Sequence, residues 1–320
     1  MFITALVGAL GTVLAVSQAT VEEVSSGYVW AENLVCDQGT ASVWVSDAVK
    51  GTLSAVSYNE DQSAYETRVH LSGLSKINGL ALDATGEVLY GGANVVEADG
   101  SIRYTIIEID RHVSESYKIV SDVALDGTSC ANGLAADWTT GLLYTTTEGG
   151  FKPGAGEIFE VDPVAGTSRS YASGLFAADG AYINQDLRLL YVSQVVNSKV
   201  LVFNLSTPVT DGQASPILTI EITDMGMLDD FFLTAEGTAL IGADFLKGNV
   251  IKIPLYPDGL TTGGETETVT ATVLAEGFTS PTSARQGCGM PGFEGESFFV
   301  TEGGGFADKM DSRRVLKVTV

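Results

Sequence analysis

One pattern limits what this chain can fold into: six times, about fifty residues apart, a single acidic or amide residue leads a short apolar strand. It stands first as Ala31-Glu32-Asn33-Leu34-Val35-Cys36-Asp37 and then as Ile77-Asn78-Gly79-Leu80-Ala81-Leu82-Asp83. Ala131-Asn132-Gly133-Leu134-Ala135-Ala136-Asp137 and Ala178-Asp179-Gly180-Ala181-Tyr182-Ile183 follow, with fainter copies at Leu228-Asp229-Asp230-Phe231-Phe232-Leu233 and Ser280-Pro281-Thr282-Ser283-Ala284. Taking Glu32, Asn78, Asn132, Asp179, Asp229 and Pro281 as equivalent, the spacings are 46, 54, 47, 50 and 52 residues. A fixed period of this size marks a repeat architecture, in which each unit buries its apolar face against its neighbours.

Within each unit a second apolar strand follows, as at Val43 to Val45 or Leu189 to Val192, and then a third with strict alternation, as in Gly156-Glu157-Ile158-Phe159-Glu160-Val161-Asp162. Fourth strands are expected at Glu66 to Leu71, Tyr117 to Ala124, Ser168 to Ala172, Pro216 to Ile222 and Val269 to Ala275. Period-two alternation bounded by Gly, Asp and Asn is the signature of half-buried strands, and no helical period competes with it. Six units of four strands predict an all-β fold, a six-bladed β-propeller. The chain ends agree. Unit six stops at its third strand, Arg313 to Val320, and the missing strand stands at the other end as Thr20-Val21-Glu22-Glu23-Val24. The N-terminal strand is therefore expected to complete the last blade, closing the ring and removing exposed sheet edges.

Residues 1–16 form an apolar run followed by Ser17-Gln18-Ala19, which reads as a secretory signal peptide over 1–19, leaving 20–320 as one propeller domain. Secretion is the expected localisation. Seventeen basic against forty acidic residues give a formal charge of −23, which argues against nucleic acid or an anionic membrane surface as a partner. A small-molecule substrate and a monomer are expected instead. Of three cysteines, Cys36 and Cys288 fall on the leading strands of units one and six, neighbours in a closed ring, so a disulfide between them with Cys130 free is one reading. The other is that all three are buried small apolar residues. Asn204-Leu205-Ser206 is a glycosylation sequon.

In a propeller the innermost strands line a central channel, so Glu32, Asn78, Asn132, Asp179 and Asp229 should converge at one mouth, with Ser280, Thr282 or Ser283 from unit six. Loops on the same face make Tyr90, Glu148, Phe151, Arg285, Glu302 and Phe306 candidates for touching a ligand. Carboxylate and amide oxygens facing one small space suit calcium or another hard divalent cation. The plainer alternative is that Asn-Gly and Asp-Gly are turn dipeptides. His70 and His112 both fall outside the channel positions, so a histidine-based triad is excluded.

Glu32 leading unit one, with Asn-Gly-Leu strands after it, resembles the senescence marker protein, gluconolactonase and regucalcin-like propeller family. That resemblance implies a divalent cation held by Glu of blade one, Asn of blades three and four and Asp of blade five, and lactone hydrolysis. Glu32, Asn132 and Asp229 match; Asp179 stands where the family has Asn, and Asn78 is additional. Joined to the ring reading, it leads to the expectation of metal ligation by Glu32, Asn132, Asp179 and Asp229, with Asp229 or Asp179 as general base; the ring and loop positions alone put Asn78, Tyr90, Glu148, Phe151, Thr282, Arg285 and Glu302 toward substrate. Glu32-Asn33-Leu34, Asp229-Asp230-Phe231 and Pro281-Thr282-Ser283-Ala284 also look like a secreted fungal branch that includes hetero-Diels-Alderases, which implies a metal-independent cyclase. A non-catalytic binding scaffold is the third possibility, since this fold does not dictate chemistry.

Overall fold

In the computed structural model, six sheets carry the chain, antiparallel but for one added strand in blade four, with two single-turn 3-10 segments as the helical elements among the described residues. Those residues are 19–122, 131–207, 209, 212–255, 266–291, 293, 297–304 and 313–320. The expected leader, apart from Ala19, lies outside them, as do Cys130 and Phe306. The inner strands are Ala31–Asp37, Lys76–Leu82, Leu134–Ala136, Ala178–Asn184, Leu228–Leu233 and Pro281–Gln286, each opening its own sheet. Blade six is completed by Thr20–Ser26, which pairs antiparallel with Arg313–Thr319 and closes the ring. Among the described residues no helix is long and apolar enough to cross a membrane.

Six hydrophobic clusters fill the six seams between neighbouring blades. Leu34, Val43, Phe299 and Val315 pack between blades six and one, and Leu53, Ile77, Leu80 and Leu89 between blades one and two. Alternate residues of each strand point to opposite seams, so the period-two pattern is the sequence form of this packing. Cys36 and Cys288 are joined by a disulfide across the blade six to blade one seam, with Cα atoms 5.0 Å apart. Asn204 ends the third strand of blade four, where its Oδ1 accepts from the Ser206 backbone N–H at 2.8 Å.

One stretch departs from the expected strands. Val269 to Ala275 is divided between Thr266–Thr270 and Thr272–Glu276. Only the second completes blade five; the first pairs parallel with Leu218–Thr223 and adds a fifth strand to blade four. Both halves alternate, so sequence periodicity could not divide them.

The positions that lead five of the six inner strands share one local distortion. Strand register shifts between Ala31 and Leu34, Ile77 and Leu80, Ala178 and Ala181, Leu228 and Phe231, and Pro281 and Ser283. Such bulges re-aim a side chain, here at one end of the channel. By this register Thr282, not Pro281, is the blade six equivalent. Hydroxyls from the preceding blade fix three of these bulges: Ser193 Oγ donates to the Asp229 carbonyl at 2.9 Å, Thr301 Oγ1 to the Glu32 carbonyl at 3.1 Å, and Thr146 Oγ1 to the Asp179 carbonyl.

The glycines after Asn78, Asn132 and Asp179 are required by closeness rather than by a turn. A Cβ on Gly79 would lie 2.2 Å from the Asn132 carbonyl oxygen, and one on Gly133 2.2 Å from that of Asp179. Gly133→Ala is therefore expected to destabilise the fold by about 1–3 kcal/mol through overpacking. Chemical denaturation of the variant reads this directly, and an unchanged midpoint would contradict the close-approach account.

Candidate functional site

At the mouth where the inner strands begin, Glu32, Asn78, Asn132, Asp179 and Asp229 are all buried and sit side by side around the channel. Asn78 Nδ2 donates to Asn132 Oδ1 at 2.8 Å, and Asn132 Nδ2 donates to Asp179 Oδ1 at 2.5 Å. Trp30 Nε1 donates to Glu32 Oε2. Asn78 Oδ1 and the adjacent Asn33 Oδ1 are buried with no hydrogen-bond partner, an unusual cost in a folded interior.

Charge is the dominant property of this ring. Burial pushes the Asp179 and Asp229 carboxyls well above the usual carboxylate range, and the neighbouring carboxylates push them further. Burial likewise raises Glu32 to about 7, against the lowering effects of Lys76 and the Trp30 hydrogen bond. Glu148, on the loop after the second strand of blade three, is raised by burial and lowered by Lys76. Glu32, Glu148 and Asp179 thus share the influence of a single lysine ammonium, while Asp229 is flanked by carboxyls alone. Lys76 had not been singled out from the sequence. It lies two residues before Asn78, and comparing that position across the six repeats would have exposed it, because the equivalents are Trp30, Cys130, Ala177, Met227 and Ser280.

These shifts set a pH dependence with a definite sign. A carboxyl whose folded-state pKa exceeds its unfolded value binds its proton more tightly in the folded chain, so it stabilises most at low pH. For Glu32 that contribution is lost as pH rises from about 4.5 through about 7. In the presence of chelator, Tm should rise on acidification over this window. The rise should be shallower in Glu32→Gln, and equal slopes in the two proteins would contradict the assignment.

The other expected ligand contacts are distributed differently. Glu302 is buried, accepting from the Thr279 N–H at 2.7 Å and from Arg314 Nε at 2.7 Å. Asp47 and Asp244 play the same loop-anchoring part in blades one and five. Thr282 Oγ1 donates to the Ala31 carbonyl and to Thr301 Oγ1, both at 2.8 Å, so it ties blades six and one together. Tyr90 is buried in the seam between blades two and three, and Phe151 is half exposed at the outer face. Arg285 does not reach the ring's open side. Its Nη2 donates to Asp230 Oδ2 at 2.7 Å and its Nη1 to the Phe231 and Ala284 carbonyls, inside the channel.

The donor chemistry fits a hard cation on two counts: uncompensated carboxylates, and a buried amide oxygen without a donor. Among the described residues no three His, Cys, Asp or Glu side chains converge as a ready-made metal cage. A cation here would draw its remaining ligands from amide oxygens and water, as calcium does.

The fold is a six-bladed β-propeller, and the solved structures it is similar to include regucalcin- and gluconolactonase-like propellers. A luciferin-regenerating enzyme superposes with a TM-score of 0.69 at 18% identity, over 94% of this chain and 95% of that one. The calcium-binding protein regucalcin from Agrobacterium tumefaciens follows with a TM-score of 0.67 at 14% identity, over 92% and 91%. A gluconolactonase from Xanthomonas campestris gives 0.61 at 16% identity, over 94% and 89%. No protein-family model matches the chain, and no curated protein matches it by sequence.

Proposed function

We propose that this protein hydrolyses a lactone or comparable small ester at the ring mouth, using a divalent cation such as calcium held by Glu32, Asp179, Asp229 and the amide oxygen of Asn132. The carrying observation is the ring itself, in which burial raises Glu32, Asp179, Asp229 and the nearby Glu148 while Lys76 offsets only three of them. A cation bound there supplies Lewis-acid polarisation of the ester carbonyl. The chain's own groups do the rest. Asp229 accepts a proton from the attacking water and returns it to the alkoxide oxygen as the acyl carbon–oxygen bond breaks. Asp179 is held in orientation by the Asn132 amide, and Asn132 by Asn78. The Cys36–Cys288 disulfide supports a secreted setting, where oxidised cysteines persist.

The presence of a gluconolactonase and a calcium-binding regucalcin among the structural neighbours supports this reading. The test is turnover of a panel of γ- and δ-lactones and aryl esters by the purified protein, with and without chelator. Turnover abolished by chelator and restored by calcium is the expected result, and the absence of turnover on every member contradicts it. A second reading, a cation-independent cyclase, draws on the row of amide donors and raised carboxyls, which can polarise a substrate carbonyl by hydrogen bonding. Turnover that survives chelation would move the assignment there.

A further inference from the structure

The channel has a second end. Each inner strand runs from the carboxylate ring toward the opposite mouth, and Leu82 lies four residues beyond Asn78, about 13 Å further along. There a cavity of about 490 Å³ opens between the ends of the inner strands and the turns that follow them. Its walls mix apolar side chains from successive blades, Leu80, Leu82, Leu134, Tyr182 and Phe232 among them, with polar ones such as Asp83, Gln185 and Gln286. None of the ring residues lines it. A volume of this size that sets apolar walls beside polar groups is what small-molecule sites have in common.

The arginines at this cavity are already engaged. Arg285 is buried and taken by Asp230 and two backbone carbonyls; Arg111 is taken by Asp37 and Glu87. Asp83 is held by the Thr85 hydroxyl and the Val88 N–H and adds negative charge, so no free cationic group is left to select an anion. The rim carries one exposed aromatic, Trp138, with 53% of its surface accessible. It is nevertheless fixed at both ends, its backbone N–H donating to Gln185 Oε1 at 3.0 Å and its indole Nε1 to the Leu82 carbonyl at 3.2 Å. A large apolar side chain held rigidly in solvent beside an apolar cavity is a stacking wall already in position for a ring, with little ordering left to be lost on binding.

We infer that the mouth opposite the carboxylate ring is a separate binding site for a neutral, ring-containing apolar molecule, stacked on Trp138 and enclosed by Leu80, Leu82, Leu134 and Phe232. The buried Asp230–Arg285 pair lies between the two ends, so occupancy here does not require entry into the ring. The site stands independently of the hydrolase reading.

The test uses the neutral fluorophore N-phenyl-1-naphthylamine, titrated into the full-length protein while its own emission and the tryptophan emission are followed. Saturable binding is expected in the wild type and in Asp229→Asn. Trp138→Ala should weaken it by about fivefold to tenfold, the loss of one aromatic contact. Ala136→Phe, which places bulk on a wall residue, should block it, with circular dichroism confirming the fold. Absence of saturable binding to the wild type overturns the inference. So does binding that is unchanged in Trp138→Ala, or that is lost in Asp229→Asn, since the last result would place the probe at the ring. Anilinonaphthalene sulfonate, an anionic analogue, should bind more weakly than the neutral probe, and the reverse order would overturn the assignment of a neutral ligand.

Discussion

Asp229→Asn is expected to lower kcat for lactone or ester hydrolysis by about 10²- to 10⁴-fold, the usual share of a positioned general base. The substitution keeps side-chain size and removes the proton acceptor. It also removes one like charge from a ring where burial and neighbouring carboxylates push Asp229 far up. The variant should therefore match or exceed the wild type in Tm at neutral pH while losing activity, the opposition expected where a strained site serves function. A parallel loss of stability and activity would point to a structural role, and unchanged kcat would remove Asp229 from the chemistry.

The second large effect lies just behind the ring. Asp230 and Arg285 are both buried and bonded to each other at 2.7 Å. Removing one partner of such a pair costs about 3–5 kcal/mol, because a charge is left without compensation. The two halves are not equivalent. Arginine stays protonated under all ordinary conditions, whereas a stranded carboxyl takes up a proton. Asp230→Leu should therefore reach the full cost, and Arg285→Met should cost less at pH 5 than at pH 8. In the double variant much of the loss should be recovered. Denaturation of the three proteins at both pH values decides the point, and equal costs for the single variants would contradict it.

Much of this arrangement is legible in the sequence because the repeat is geometric. A residue that leads an inner strand in every unit must stand at the same height on the channel, so Glu32, Asn78, Asn132, Asp179 and Asp229 could be placed together from spacing alone. Ring closure was equally readable, since a three-stranded last unit and a spare N-terminal strand have one economical solution. What the spacing could not convey was direction and engagement. Glu302 and Thr282 carry polar atoms at the right end of the chain's blades, yet those atoms are consumed by Thr279, Arg314, Ala31 and Thr301. Arg285 falls three residues after the blade six ring position, Thr282, and so belongs to the channel interior, a distance that the rise per strand residue already implies. The opposite cavity has no sequence mark, because it is made from ordinary apolar strand ends whose common feature is the space left between them. Gly79 and Gly133 read as turn residues until the neighbouring carbonyls are in place.

The central claim is that the carboxylate ring is a cation-dependent active centre. Its most direct test is elemental analysis of the purified protein before and after chelator dialysis and calcium reloading, for the wild type and for Glu32→Ala. The account predicts a single divalent ion per chain in the reloaded wild type and none in the variant, with both proteins folded. A wild-type propeller that is intact and active with no stoichiometric ion would contradict it.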